Sequence, residues 1–173
     1  MTVKLTDELT ECECLTSSLI MTSLSVTGLA APADLEELMP LIRGYQAFNL
    51  ITTVDDRQTR AFFGGVIASP SESFIIVARV DGRIVGFATG YITRSGYLAK
   101  RLVHLGDLFV DPPERRRGIG RALIHAVSTH AAALGLDTVR WLTSPTHLEA
   151  HRLYDSLGAV PSEHRLYVLQ RGI

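Results

Sequence analysis

Leu108-Phe109-Val110-Asp111-Pro112-Pro113-Glu114-Arg115-Arg116-Arg117-Gly118-Ile119-Gly120-Arg121-Ala122-Leu123-Ile124 is the stretch that decides the fold. An apolar strand pattern runs into a turn with two prolines, then come three arginines and a Gly-x-Gly, and then a helix opens. The first backbone N–H groups of a helix have no intrahelical partner, and the helix dipole adds partial positive charge there. Glycine at 118 and 120 removes the side chains that would keep an anion from the backbone, and the arginines add forked donors. Taken singly, these features also describe an arginine-rich surface turn. In this order they predict a diphosphate site at a strand-to-helix junction.

Outward from that junction, bulk properties narrow the class. The 173 residues fit one domain, and 46% hydrophobic residues suffice for a sizeable core. A net charge of −1 leaves no global field to attract nucleic acid or an acidic membrane, so the arginine cluster is local and implies a local ligand. No apolar run is long enough to span a bilayer, and Met1 to Thr10 lacks the basic start and apolar core of a secretion signal. A cytoplasmic location is the expectation. Cys12 and Cys14 cannot by themselves complete a zinc site or a disulfide framework.

Residues 1–23 have no clear period and read as a flexible extension ahead of one domain at 24–173. Leu24 to Thr27 alternates like a short strand. Pro32 opens a helix carrying Leu35, Leu38, Met39, Ile42 and Tyr45, with a kink expected at Pro40. Asp55 is placed to cap a second helix, weakened by Gly64-Gly65. Ser73–Val80 and Arg83–Tyr91 are strands joined by Asp81-Gly82, a type I′ hairpin signal. A third strand, Leu102–Val110, follows a turn at Arg94–Tyr97. From Gly118 the period becomes helical until Gly135; Thr138–Leu142 is a strand, made parallel by a right-handed crossover. Ser144 or Thr146 is expected to cap a last helix through Leu157, and Leu166–Leu169 to close the sheet. The result is an α/β (α+β) class: a mixed, mostly antiparallel sheet flanked by helices, with one parallel strand pair around the central helix.

Arg115-x-x-Gly118-x-Gly120 behind Asp107-Leu108-Phe109-Val110 resembles the acetyl-CoA motif of the GCN5-related N-acetyltransferase (GNAT) superfamily, Arg/Gln-x-x-Gly-x-Gly/Ala. A second match lies downstream. His147-x-x-Ala150-x-x-Leu153-Tyr154-x-x-x-Gly158 resembles the family pattern Asn-x-x-Ala-x-x-Leu-Tyr-x-x-x-Gly, with His147 in place of the Asn that contacts the cofactor arm. The order of elements fits the same family from about Leu24 onward.

The resemblance implies a set of roles. Leu108, Phe109 and Val110 offer backbone groups to the pantetheine arm. Arg115, Arg116, Arg117, Gly118, Ile119, Gly120 and Arg121 wrap the diphosphate, and His147 and Ala150 touch the arm. Tyr154 is the general acid for the leaving thiolate; a phenol of ordinary pKa ~10 is protonated at neutral pH. Packing as a plain core aromatic is its other reading. Many relatives carry an acid at the position of Gly106, so the general base is open between Asp107, His104 (on the face of position 106 if the strand is unbulged) and ordered water. His147 and His151 share a helix face, but no third ligand accompanies them, and no metal is expected. No aromatic pattern accompanies the arginines to suggest RNA. The expected activity is transfer of an acetyl group from acetyl-CoA to a primary amine, with a small polyamine-like or amino-acid acceptor, no nucleic acid or membrane partner, and a homodimer by family analogy. Asp55, Asp56 and Glu72 could attract such an amine. An acyl-CoA sensor without turnover and a protein N-terminal or lysine acetyltransferase are the rivals.

Overall fold

The computed structural model describes residues 25–163 and Leu166. The extension at 1–23 and the closing strand at 166–169, apart from an exposed Leu166, lie outside the described residues. A single five-stranded sheet has the order β1 (Val26–Leu29), β2 (Ser73–Val80), β3 (Arg83–Ser95), β4 (Lys100–Val110) and β5 (Val139–Trp141). The first four strands are antiparallel and β5 joins β4 in parallel. The mixed sheet with one parallel pair is therefore the expected one. The first strand lies two residues beyond its expected place. β3 continues to Ser95, so the turn falls at 96–99 instead of Arg94–Tyr97.

α1 (Leu35–Phe48) and α2 (Asp56–Ala68) cover one face of the sheet, and α3 (Ile119–Ala133) covers the other. β2 is buried at nearly every position because both faces are covered: Phe74, Ile76 and Ala78 pack under α3, Ile75 and Val77 under α1 and α2. A 3-10 turn at Pro32–Asp34 precedes α1, and α1 runs through Pro40. Asp55 caps α2 by accepting from Gln58 N at 2.7 Å, as expected. Both residues of the Asp81-Gly82 turn have positive φ, 51° and 81°, which a type I′ hairpin requires.

α3 ends at Gly135 in a Schellman closure: Leu136 N donates to Ala131 O and Gly135 N to Ala132 O, both at 2.9 Å. α4 is short, Leu148–Asp155. Neither Ser144 nor Thr146 caps it. Their hydroxyls bond to one another at 2.8 Å and the N-cap position is His147.

Two bulges set the faces. In β4, Leu105 pairs with Gly90 and Leu108 with Ala88, so Thr89 alone opposes Gly106 and Asp107. The extra residue inverts the alternation. Val103 and Leu105 face α3, and beyond the bulge Leu108 and Val110 do, while Asp107 joins Phe109 on the α1 face. The expectation for His104 that assumed an unbulged strand is corrected here: the bulge brings Asp107, as well as position 106, onto the face His104 occupies. A second shift, between Ala78 and Arg79, kinks β2 against β3.

Phe87 anchors the α1 face, fully buried and edge-on to Tyr45 at 6.0 Å and Phe63 at 6.2 Å, with Phe109 tilted at 6.3 Å. Phe87→Ala should lower the unfolding free energy by about 3–5 kcal/mol, read from denaturant midpoints at constant m-value, and Phe87→Leu by less than half of that.

Candidate active site

A cleft of about 920 Å³ opens where β4 and β5 part. Their pairing ends at Leu105 opposite Trp141, so Gly106 to Val110 meet no strand on that edge among the described residues. Asp111 N donates to Val85 O at 2.9 Å, which fixes the alternation of the ladder. Phe109 spends its backbone groups on β3, and Leu108 and Val110 turn theirs to the open edge. The Phe109 backbone is thus less available than the resemblance implies; its ring lines the cleft instead.

The α3 N-terminus forms the foot of the cleft. Gly118 is its N-cap at φ 81°, ψ −1°, in the left-handed region where glycine is at ease. Followed by helical Ile119, it turns successive amides into one concavity. Among the described residues no backbone carbonyl accepts from the amides of Arg116 to Arg121, and the first helical closure is Ala122 N to Gly118 O at 3.0 Å. Gly120 serves packing as well: a Cβ there would stand 3.3 Å from Leu153 Cδ2 on α4.

The arginines divide the work. Arg115 donates from Nε to Val110 O at 3.0 Å, and its guanidinium carbon sits 5.5 Å from the Phe48 ring centroid and 5.4 Å from that of Phe109. It clamps the end of β4 to the end of α1. Arg116, at φ 63°, reaches Glu149 at 3.5 Å. Arg121 donates to Ser156 Oγ at 2.7 Å. Arg117 pairs with Glu114 and does not line the cleft, unlike every other residue of the 115–121 segment. Arg152 also lines it and pairs with no acid among the described residues.

Tyr154 stands in the wall, half-buried, with its ring 5.1 Å from Trp141. Burial raises its pKa, which the nearby Thr143 side chain partly opposes, so the hydroxyl keeps its proton beyond the ordinary phenol range. Across from it are Tyr45 and Asp107. Asp107 accepts from Thr89 Oγ1 at 2.6 Å, and the same oxygen accepts from Asp107 N at 2.9 Å, which locks the bulge. Burial, and then the Asp107 charge, push the Tyr45 hydroxyl far up.

Gly106 is dictated by its neighbours. A Cβ there would lie 2.5 Å from Tyr91 Cε2 and 3.0 Å from Thr89 Oγ1, so the Tyr91 ring occupies the space of any side chain at 106. His104 is held neutral by burial and by Arg140, against the opposing pull of Asp107, and does not line the cleft.

His147 and Ala150 line the cleft, the imidazole 5.6 Å from the Phe48 ring. His151 turns away, its Nε2 at 2.9 Å from Ser144 O. Sequence reasoning missed Phe48, Thr89, Arg152 and the clamp made by Arg115. Tyr45 was legible only as the last member of the apolar series on α1.

The model of the acetyltransferase (GNAT) family matches residues 36–159. An uncharacterized N-acetyltransferase of Bacillus subtilis is 30% identical over 129 residues, 75% of this chain and 85% of that protein. A D-amino-acid N-acetyltransferase of Saccharomyces cerevisiae is 27% identical over 132 residues, 71% of this chain and 77% of that one. The solved structure of an aminoglycoside N-acetyltransferase in complex with CoA superposes with a TM-score of 0.75 at 22% identity, covering 87% of this chain and 97% of its own, and so shares the fold.

The amide concavity makes a charge-specific prediction. Gly118→Asp should weaken CoA binding at least ~10-fold by calorimetry, while Gly118→Asn, of the same shape and also tolerant of positive φ, should lose much less. Arg117→Ala should change the CoA Kd by under ~3-fold, because its partner is Glu114 and an exposed pair contributes little.

Proposed function

We propose that this chain, which belongs to the acetyltransferase (GNAT) family and is an acetyl-CoA-dependent N-acetyltransferase, acts on a small primary amine by direct attack, with Tyr154 as general acid and Asp107 as proton acceptor. The observation that carries the reading is a pair of side chains set in two walls of one cleft. Tyr154, from the α4 side, and Asp107, from the β4 bulge, line the same cleft beside an open strand edge.

The open edge at Leu108 and Val110 holds the pantetheine arm in the manner of a strand, and the α3 amides hold the diphosphate. Bound acetyl-CoA supplies an activated thioester. In the reaction the amine nitrogen bonds to the carbonyl carbon, the carbon–sulfur bond breaks, Tyr154 gives its proton to sulfur, and Asp107 takes one from nitrogen. Phenol and carboxylate then exchange protons with solvent. The raised pKa of Tyr154 suits it to remain the acid under mildly alkaline conditions, where more of the amine is neutral. Small-amine acceptors are supported by relatives named for such substrates, among them the D-amino-acid N-acetyltransferase.

Release of CoA, read by a thiol reagent over a panel of amines, tests the reading; an amine-dependent signal is expected, and silence with intact acetyl-CoA binding would overturn it. Tyr154→Phe should lower kcat by roughly 10²-fold or more with little change in the acetyl-CoA Kd. In the pH profile the wild-type alkaline limb should lie above the ordinary phenol value of ~10, because a raised pKa retains the proton to higher pH, and this limb should vanish in Tyr154→Phe. An unchanged limb would assign it to another group.

A further inference from the structure

We infer that the acceptor carries a single ammonium group on an apolar body, an alkyl- or aryl-substituted monoamine, instead of a diamine or polyamine. The inference rests on the transferase reading of the cleft and narrows it. Three carboxylates line the cleft. Glu114 is paired with both Arg83 and Arg117, and Glu149 with Arg116. Only Asp107 has no cationic partner among the described residues, and it faces the reacting end.

The three acids that the sequence offered for attracting a cationic amine lie elsewhere. Asp55 caps α2, Asp56 is bonded to Arg43, and Glu72 lies with Arg94 and Arg101 in a separate depression. One carboxylate complements one ammonium. A second ammonium in the cleft would meet the side chains of Arg115 and Arg152 and give up water without gaining a partner.

Beside Asp107 the cleft also offers apolar side chains. Phe48, Leu142 and Leu148 line it while remaining 54%, 61% and 62% exposed, far more than aliphatic and aromatic side chains of the core. Phe48 follows Tyr45 by one turn on α1, so an apolar substituent on an amine held at Asp107 has a ring to lie against. Burial of such a body adds to affinity in proportion to its area.

A matched pair of acceptors isolates the charge count. Hexylamine and hexamethylenediamine have the same carbon chain and differ in the second amine. Wild-type protein with saturating acetyl-CoA should release CoA with a kcat/KM at least about tenfold higher for hexylamine, and phenethylamine should exceed spermidine by a similar factor. Phe48→Ala should raise the KM for hexylamine and phenethylamine more than for methylamine. Equal or greater kcat/KM for the diamine and spermidine would overturn the inference while leaving the transferase reading intact. Absence of CoA release with every amine, with acetyl-CoA binding retained, would overturn both.

Discussion

The parting of β4 from β5 is the constraint on which the rest depends. The parallel pair stops at Leu105 and Trp141, where β5 ends and β4 runs on. Past that point β4 presents backbone groups with no strand to receive them. An exposed edge is a liability in most folds, since it templates pairing with another chain. In this molecule the edge lines a cleft together with residues of α3, α4 and the end of α1. The bulge at Gly106 and Asp107 supplies the second half of the arrangement. By inserting one residue it swings a carboxylate from the α3 face, where it would be buried in aliphatic side chains, to the face that carries Tyr45.

Charge is handled economically around the foot of the cleft. Of the arginines in the motif, Arg115 is held by a carbonyl and two rings and Arg117 by Glu114. Arg121 ties α3 to the end of α4. In the proposed reading, recognition of the diphosphate falls first on backbone amides, which cost no side-chain entropy to order and cannot be drawn off by a competing carboxylate. The arginines chiefly hold the loop in the shape that exposes those amides. Arg116 in the left-handed region is the visible strain in that loop.

Much of the architecture was legible because its signals are local. Asp81-Gly82 states its own turn, Asp55 its own cap, and Gly135 its own helix end, each through a backbone requirement that few residues meet. The left-handed glycine at the head of α3 was legible for the same reason. What could not be read depends on pairs remote in sequence. Nothing in Gly106 alone announces that Tyr91, fifteen residues earlier in β3, fills its space, and so nothing announced the bulge that redirects Asp107. The Ser144–Thr146 hydroxyl pair looked like a cap because either residue alone would serve as one; together they satisfy each other. Arg115 fitted a motif well enough to hide its contact with Phe48, a residue in another helix with no spacing relation to it.

The sheet separates two cores, and the division bears on how such a molecule can change over generations. The core under α3 supports the amide concavity; the core under α1 and α2 supports Tyr45, Phe48 and the face of Asp107. Substitutions on α1 and α2 can reshape one half of the cleft without disturbing the other, since distant sites act nearly independently. β4 lines the cleft and belongs to both cores, with Leu108 packed one way and Phe109 the other. A lineage adapting to a new acceptor is therefore free across most of the α1 and α2 surface and bound to a few residues of one strand.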